Sequence, residues 1–453
     1  MLPIGGGMAV MMNENVLARD WNARSLMRFA FPTIVMMIFM GLYTVVDTVF
    51  VARFVNTDAL SAINIVCPVI NIAVGLGTMV AAGGNAIISR KMGAGQIQEA
   101  KEDFTVLILL AGGMGLILLA AGTIWIDQLV YALGASDLLF PYCKGYLGIL
   151  FLFFPANMMQ TVFSNLFVTA GKPGMGFGLS VIAGLTNLIL DYVFIVLCGL
   201  GIRGAALGTG CGYLIPAVVG VIFFIRSNGA LSLTKPKWKW GVVKESCLNG
   251  SSEMVGQLAA AVTTFLFNIT MMDMLGENGV AAITILIYAQ FLLNTLYIGF
   301  SMGVSPLIGF NYGNQNTVRQ KKVLRICIGF VTAASLAVFV ISLLGGPYIV
   351  QLFAPDTSEV YRIAVSGFRI FAYSFLFCGL NIFISAMFTA LSNGKISAFL
   401  SFLRTFGLLS GGILLLPRFW GITGVWLAVP VAEGIMFWVS IFMLLYHRKR
   451  YGY

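Results

Sequence analysis

Charge is what this sequence has least of. Only 10% of its 453 residues are Asp, Glu, Lys or Arg, where soluble domains carry about 25%. With 59% hydrophobic residues and a mean hydropathy of +0.94, that scarcity excludes a soluble globular chain. Histidine is nearly absent as well: the one His, His447, excludes a histidine metal cluster. The seven Cys (67, 143, 198, 211, 247, 327 and 378) lie in or beside apolar runs, with no CxxC and no paired spacing. They read as small buried hydrophobes, and no disulfide framework is expected. No HExxH, Walker loop, nucleophile elbow or ATP-binding domain is present. The chain therefore reads as no enzyme and as needing no cofactor; any work it does draws on an ion gradient or on the substrate's own. Residues 1 to 22 lack the ordered charged start, apolar core and cleavage site of a signal peptide. Met8, Met11 and Met12 are each available as alternative starts, and the structure of this stretch is left open.

What is there is a series of apolar runs about 20 residues long, the length that crosses a bilayer as a helix. Twelve spans are expected, over 26–52, 60–88, 104–126, 141–169, 175–197, 203–225, 247–272, 279–308, 321–345, 361–390, 396–416 and 421–446. Lys and Arg cluster in alternate loops: Arg19, Arg24 and Arg28, then Arg90, Lys91 and Lys101, then Lys172, then Arg226 to Lys244, then Arg319 to Arg325, then Lys395, then Arg448 to Arg450. The opposite loops hold Arg53, Arg203 and Arg418 among acids such as Asp58, Asp127, Asp137, Asp273, Glu277, Asp356 and Glu359. By the positive-inside rule both termini are expected in the cytoplasm of a multi-pass cell-membrane protein. The same rule accounts for the net charge of +10 without a nucleic-acid partner.

The halves repeat. Gly201-Ile-Arg-Gly-Ala-Ala-Leu207 matches Gly421-Ile-Thr-Gly-Val-Trp-Leu427 at an offset of 220. Ile88 to Gly95 falls opposite Ile308 to Gln315 at the same offset, and Thr169-Ala-Gly-Lys172 corresponds to Ser392-Asn-Gly-Lys395 at 223. Six spans per half is even, so the halves share one orientation and relate by a pseudo-two-fold axis along the membrane normal. The expected fold is an all-α integral membrane protein of two six-helix lobes, 26–232 and 233–446, with a cytoplasmic segment 1–25 and a basic tail 447–453. Parallel repeats of this kind are a transporter design, with the substrate site near mid-membrane between the halves. The join, with its Lys-Pro-Lys-Trp-Lys-Trp, reads as a cytoplasmic linker with interfacial tryptophans.

An ionised acid inside a span costs roughly 2.5–3.5 kcal/mol on insertion scales, so such residues are candidates for function. There are four: Asp47, Asp191, Glu253 and Glu433. Asn187 and Asp191 lie one turn apart on one face of span five. They need a cation, a proton or a polar group on a neighbouring helix. The repeat counterparts of Asp47 and Asp191 fall near Phe267 and Gly411, which are not acidic; a scaffold residue should recur in both halves, whereas a site used once need not. If spans one, five and six surround one pocket, Asp47, Asn187, Asp191 and Thr209 form an oxygen-only set suited to a hard cation such as sodium. Two carboxylates close together would equally share a proton, and the residues leave sodium and proton both open. Tyr43 lies one turn from Asp47, and Gln257 one turn from Glu253; Gln290, Asn294 and Tyr297 fall near one face of span eight. For Glu253, Gln257, Gln290 and Asn294 two readings stand, lining of a central cavity or bridging between helices. Glu433, with Arg369 and Arg404 in the same half, reads as a structural ion pair. Pro32, Pro68, Pro155, Pro216, Pro306 and Pro430 interrupt apolar spans, where proline kinks a helix and frees a carbonyl.

Taken together these residues resemble the MATE (multidrug and toxic compound extrusion) family, in its bacterial branch of DinF-like and MepA-like exporters. The resemblance runs from about Ala23 to Tyr446. It rests on Asp47, Ile88-Ser-Arg-Lys-Met-Gly-Ala-Gly95, Gly171-Lys-Pro173, Asn187-Leu-Ile-Leu-Asp191, Gly204-Ala-Ala-Leu-Gly-Thr209 and Pro306-Leu-Ile-Gly-Phe-Asn-Tyr312. It implies cation-coupled antiport, with H+ or Na+ driving export of varied cationic and aromatic small molecules. By motif position it assigns Asp47, Asn187, Asp191 and Thr209 to the cation site, and Tyr43 and Asn157 to the substrate cavity. Glu253 falls where some branches place an acid in span seven, and span ten lacks the Asp of another branch. The expected partners are small-molecule substrates, the coupling cation and the bilayer, around a monomer. Two alternatives are a flippase for a lipid-linked precursor and a major-facilitator-type carrier. The latter's Gly-x-x-x-Asp-Arg loop is replaced here by Ser89-Arg-Lys-Met-Gly-Ala-Gly-Gln96.

Overall fold

A computed structural model describes residues 16–227 and 229–453; the alternative starts at Met8, Met11 and Met12 lie outside them. The described residues form helices and no strand. The transmembrane helices are α1 (Ala23–Phe54), α2 (Thr57–Gly93), α3 (Ile97–Ile124), α4 (Phe140–Thr169), α5 (Pro173–Leu197) and α6 (Ile202–Arg226). A 74-residue helical run, Trp240–Gly313, would be about 110 Å long at 1.5 Å per residue, far beyond one crossing. Gly276, at φ 62, breaks it into α7 (240–275) and α8 (277–313). Next come α9 (Thr317–Gln351) and α10 (Glu359–Ala390). The run Gly394–Tyr451 breaks at Trp420 and Gly421 into α11 (394–420) and α12 (421–451). Among the described residues the ten long apolar helical runs thus make twelve crossings.

The repeat is visible in backbone angles. Gly201 (φ 55, ψ −133) opens α6 and Gly421 (φ 55, ψ −137) opens α12, both left-handed positions that favour glycine. The turns after α4 and α10 place their left-handed residues at Gly171 and Ser392. That sets the local offset at 221, not the 223 read from the Gly-Lys match: glycine has slipped along the second turn while the geometry stayed.

The two-fold relation shows most directly in contacts. Asn85 Nδ2 donates to Ser305 Oγ at 3.4 Å, a pair separated by 220 residues. Residues that are each other's repeat counterpart and also touch must lie on the axis. Around it the contacts are reciprocal, as a two-fold requires. Gly93 packs on the Phe310 carbonyl and Gly313 on the Arg90 carbonyl; Gly83 packs on the backbone at Gly250, and Gly303 on Ala30.

These interlobe contacts occupy the half of the molecule nearest the basic loops. There one hydrophobic core runs unbroken through both lobes, from Leu26 and Phe104 to Phe300, Phe383 and Met436. On the other half the core divides: one part, around Phe151 and Phe154, belongs to the first lobe, and another, around Phe267 and Trp426, to the second. The lobes share one core at the basic end and keep separate cores at the opposite one.

Candidate functional site

The first lobe's polar centre is built by close packing of α5 on α6. Gly204, Gly208 and Gly212 recur every four residues on one face of α6. A side chain there would run into the Phe194 backbone, the Asp191 carboxyl and the Asn187 Cβ respectively. Small residues at this spacing let membrane helices approach closely. They bring Asn187 Nδ2 to 3.2 Å from Thr209 Oγ1, to which it donates. Asn187 is 1% exposed, Asp191 0% and Thr209 6%, so the set is dry on the α5–α6 side.

Asp47 closes the set from α1. Its carboxyl and that of Asp191 lie within hydrogen-bonding reach of each other. Yet Asp47 Oδ1, both Asp191 oxygens and Asn187 Oδ1 are buried without a donor. Four orphaned acceptors converging in a low-dielectric interior are costly unless something positive joins them. With Thr209 Oγ1 they form an oxygen-only donor set, which fits either a hard monovalent cation or a shared proton. The expected grouping of Asp47, Asn187, Asp191 and Thr209 is what the structure brings together.

Three tyrosines surround the carboxyls. Tyr43 and Tyr146 lie within electrostatic range of both Asp47 and Asp191, and Tyr213 of Asp47. The Tyr213 hydroxyl stands beside the Asn157 side chain. Tyr43 and Asn157 were expected here; Tyr146 and Tyr213 were missed, although Tyr213 is one turn beyond Thr209 and Tyr146 three turns before Asn157.

The remaining candidates lie elsewhere. Glu253 on α7 is half-buried, with no ion pair or hydrogen bond to it among the described residues, and it stands apart from the α1–α5–α6 centre. Gln257 packs against Gly75 of α2 across the lobe boundary. Asn294 accepts from the Cys378 thiol at 3.4 Å, so it bridges α8 and α10. Gln290 is half-buried on α8.

The second lobe's centre has a different electrostatic design. Glu433 accepts from Arg404 at 2.8 Å and from Asn381 at 2.8 Å, and the Arg404–Glu433 pair closes to 2.6 Å. Arg369, the other arginine expected to serve this acid, is exposed and takes no part. Glu433 is the repeat counterpart of Tyr213 at the offset of 220. Where the first lobe holds acceptors without a positive partner, the second carries its own.

Two six-helix lobes related by an axis through their seam, with buried, unpaired carboxyls at the centre of one of them, are the architecture of a membrane transporter. This chain belongs to the MATE family: residues 32–193 and 254–409 match the family model described as MatE. It is 24% identical over 436 residues to the "Multidrug export protein MepA" of Staphylococcus haemolyticus, with 94% of each chain covered. To the protein of that name from Staphylococcus aureus it is 24% identical over 444 residues, again covering 94% of each. Its fold is similar to a solved structure described as the "outward-facing conformation of a multidrug resistance MATE family transporter of the MOP superfamily". That likeness has a TM-score of 0.89 at 20% identity and covers 97% of this chain and 98% of that one.

Proposed function

We propose that this protein exports small, predominantly cationic and aromatic compounds by alternating access, in exchange for an inward-moving cation, H+ or Na+, bound at Asp47 and Asp191. The observation that carries this reading is the pair of facing carboxyls with no donor between them. Such a pair has two low-energy occupants, a small cation and a cationic substrate near its rim, and it neutralises one at a time. When the coupling cation enters, the carboxyls lose their attraction for a cationic substrate, which then leaves. A ligand shifts a two-state equilibrium only through its different affinities for the two states, and mutual exclusion at these carboxyls supplies that difference. Tyr43, Tyr146 and Tyr213 would present aromatic faces to a cationic guest. The MepA relatives, named as multidrug export proteins, support the class of substrate. The unbroken core at the basic end supports a state sealed on that side, and with the basic loops in the cytoplasm, as the positive-inside rule expects, that side is the inner one.

Asp191→Asn tests it. The amide supplies the missing donor to Asp47, so the variant should insert and purify normally, yet lose dye efflux from cells and cation-induced release of a bound fluorescent dye. Wild-type efflux by this variant would remove Asp191 from the mechanism.

A further inference from the structure

We infer that the basic end of the first lobe holds a site for one anionic phospholipid, its phosphate between Lys172 and Arg226 and an acyl chain lying along α6. Two cavities meet there. One, of about 520 Å³, is lined by the turn after α4, the end of α6 and the linker residues Ser227, Gly229, Ala230 and Leu231. Lys172 and Arg226 line it, together with Met175, Val219, Phe223 and Leu231. The second, of about 340 Å³, continues from the shared residue Ile222 up the α4–α6 surface past Met159, Val218 and Leu214. It carries no charged residue.

The chemistry changes along this path as it does along a lipid. At the basic end are two cations, with no Asp or Glu in the lining and no ion pair for either among the described residues. The Lys172 ammonium is held 4.9 Å from the Phe223 ring centre, a cation–π contact that steadies it without neutralising it. Beyond Ile222 the wall is wholly apolar. From Arg226 back to Leu214 is about 18 Å of helix at 1.5 Å per residue, close to the roughly 15 Å of a single hydrocarbon leaflet. Val218, Ile222 and Ile225 are 52%, 46% and 62% exposed, so this face of α6 looks into the bilayer rather than into the protein. The linker supplies the last wall: Leu233 N donates to the Phe224 carbonyl at 2.9 Å, which folds the chain back over the end of α6 and buries Leu231.

An ordinary lipid-facing helix end offers cations or a groove. Here both are present in two adjoining hollows that share Ile222, with charge in one and only apolar walls in the other. Complementarity of charge therefore selects a phospholipid with net negative headgroup over a zwitterionic one. Each basic side chain at an anionic lipid surface is worth about a fivefold gain in affinity, so the two together favour the anionic lipid by roughly 25-fold.

Native mass spectrometry of the full-length protein, released from nanodiscs of mixed phosphatidylglycerol and phosphatidylcholine, tests this. The expected result is one phosphatidylglycerol retained in preference to phosphatidylcholine. The double variant Lys172→Ala/Arg226→Ala should lose that preference, while Lys395→Ala/Lys449→Ala, removing cations at other basic loops, should keep it. Val218→Trp, which fills the apolar half, should reduce retention of both lipids. Lys172, Arg226, Lys395, Lys449 and Val218 are all exposed, so folding is not at stake. Unchanged phosphatidylglycerol retention in the Lys172/Arg226 variant would overturn the site. So would displacement of the retained lipid by millimolar inorganic phosphate, since that would leave an anion pocket with no role for the chain.

Discussion

Asp191 has no exposed surface and no donor for either oxygen, so its surroundings are unusually sensitive to single atoms. A methyl added at Gly208 would sit on Asp191 Oδ1. Gly208→Ala should therefore displace the carboxyl from its present place, leaving an inserted protein whose dye release no longer responds to the coupling cation; an unaltered cation response would show that the exact pairing of the two carboxyls does not matter. Thr209→Val keeps the shape but removes the hydroxyl that accepts from Asn187. A hydrogen bond is worth about 1 kcal/mol net, so the cation concentration for half-maximal dye release should rise roughly fivefold. The second lobe's charges behave differently. Glu433 is buried and shares its oxygens between Arg404 and Asn381, so Glu433→Ala strands a guanidinium inside the lobe. Breaking a buried pair from one side costs about 3–5 kcal/mol, whereas replacing both partners with apolar residues is often neutral. Thermal unfolding in detergent should show a large fall for Glu433→Ala and recovery in Arg404→Met/Glu433→Leu. At this scale the sequence was readable where a charge is rare in hydrocarbon: Asp47, Asp191 and Glu433 stand out by composition alone. Tyr146 and Tyr213 did not, because tyrosine is common in membrane helices and only the crossing of α4 with α6 turns these two inward.

Helix α5 ends in a π-helical turn, Tyr192–Leu197, beginning immediately after Asp191, and α11 contains another, Leu403–Leu409, which includes Arg404. A π-turn carries one residue more than an α-turn and is found disproportionately at functional positions. In the first lobe it follows the buried Asp191, and in the second it carries the half-buried Arg404, partner of the buried Glu433. Removing one residue restores α-helical geometry while leaving the flanking helix in register. Deletion of Val196, which is 40% exposed, should keep thermal stability and membrane insertion yet abolish cation-dependent dye release; retained coupling would make the π-turn a packing detail. Nothing in the sequence marks these turns. The six prolines expected to interrupt spans all sit inside continuous helices, as do Pro347 and Pro417, and neither π-turn contains a proline. Span positions, by contrast, follow from hydropathy alone: 175–197 was expected for the helix observed at Pro173–Leu197. The expected spans 247–272 and 279–308 correctly straddle the break at Gly276, inside a helical run that secondary structure by itself leaves whole.

Across the whole molecule, the two lobes meet most tightly at the seam at the basic end, and in the proposed mechanism that seam has to open. Arg90–Glu245 spans it at 2.8 Å, but the two side chains are 29% and 41% exposed, and pairs so solvated contribute little. The tight element is backbone against backbone, where Gly93 meets the Phe310 carbonyl and Gly313 the Arg90 carbonyl. A leucine at Gly93 cannot be accommodated there without parting the lobes, and the reciprocal contact at Gly313 is lost with it. Gly93→Leu should therefore move the population toward the state open at the basic end without harming either lobe, since each keeps its own core on the far half. Ser305 lies on the axis of the seam, next to Asn85, so a cysteine placed there reports its opening. In a background free of the seven native cysteines, Ser305→Cys should be slow to react with a membrane-impermeant thiol reagent applied from the basic-loop side. Adding Gly93→Leu should accelerate that reaction, while adding Glu245→Gln should leave it nearly unchanged. Equal acceleration by both would mean that the ion pair, and not the glycine contact, holds the lobes together.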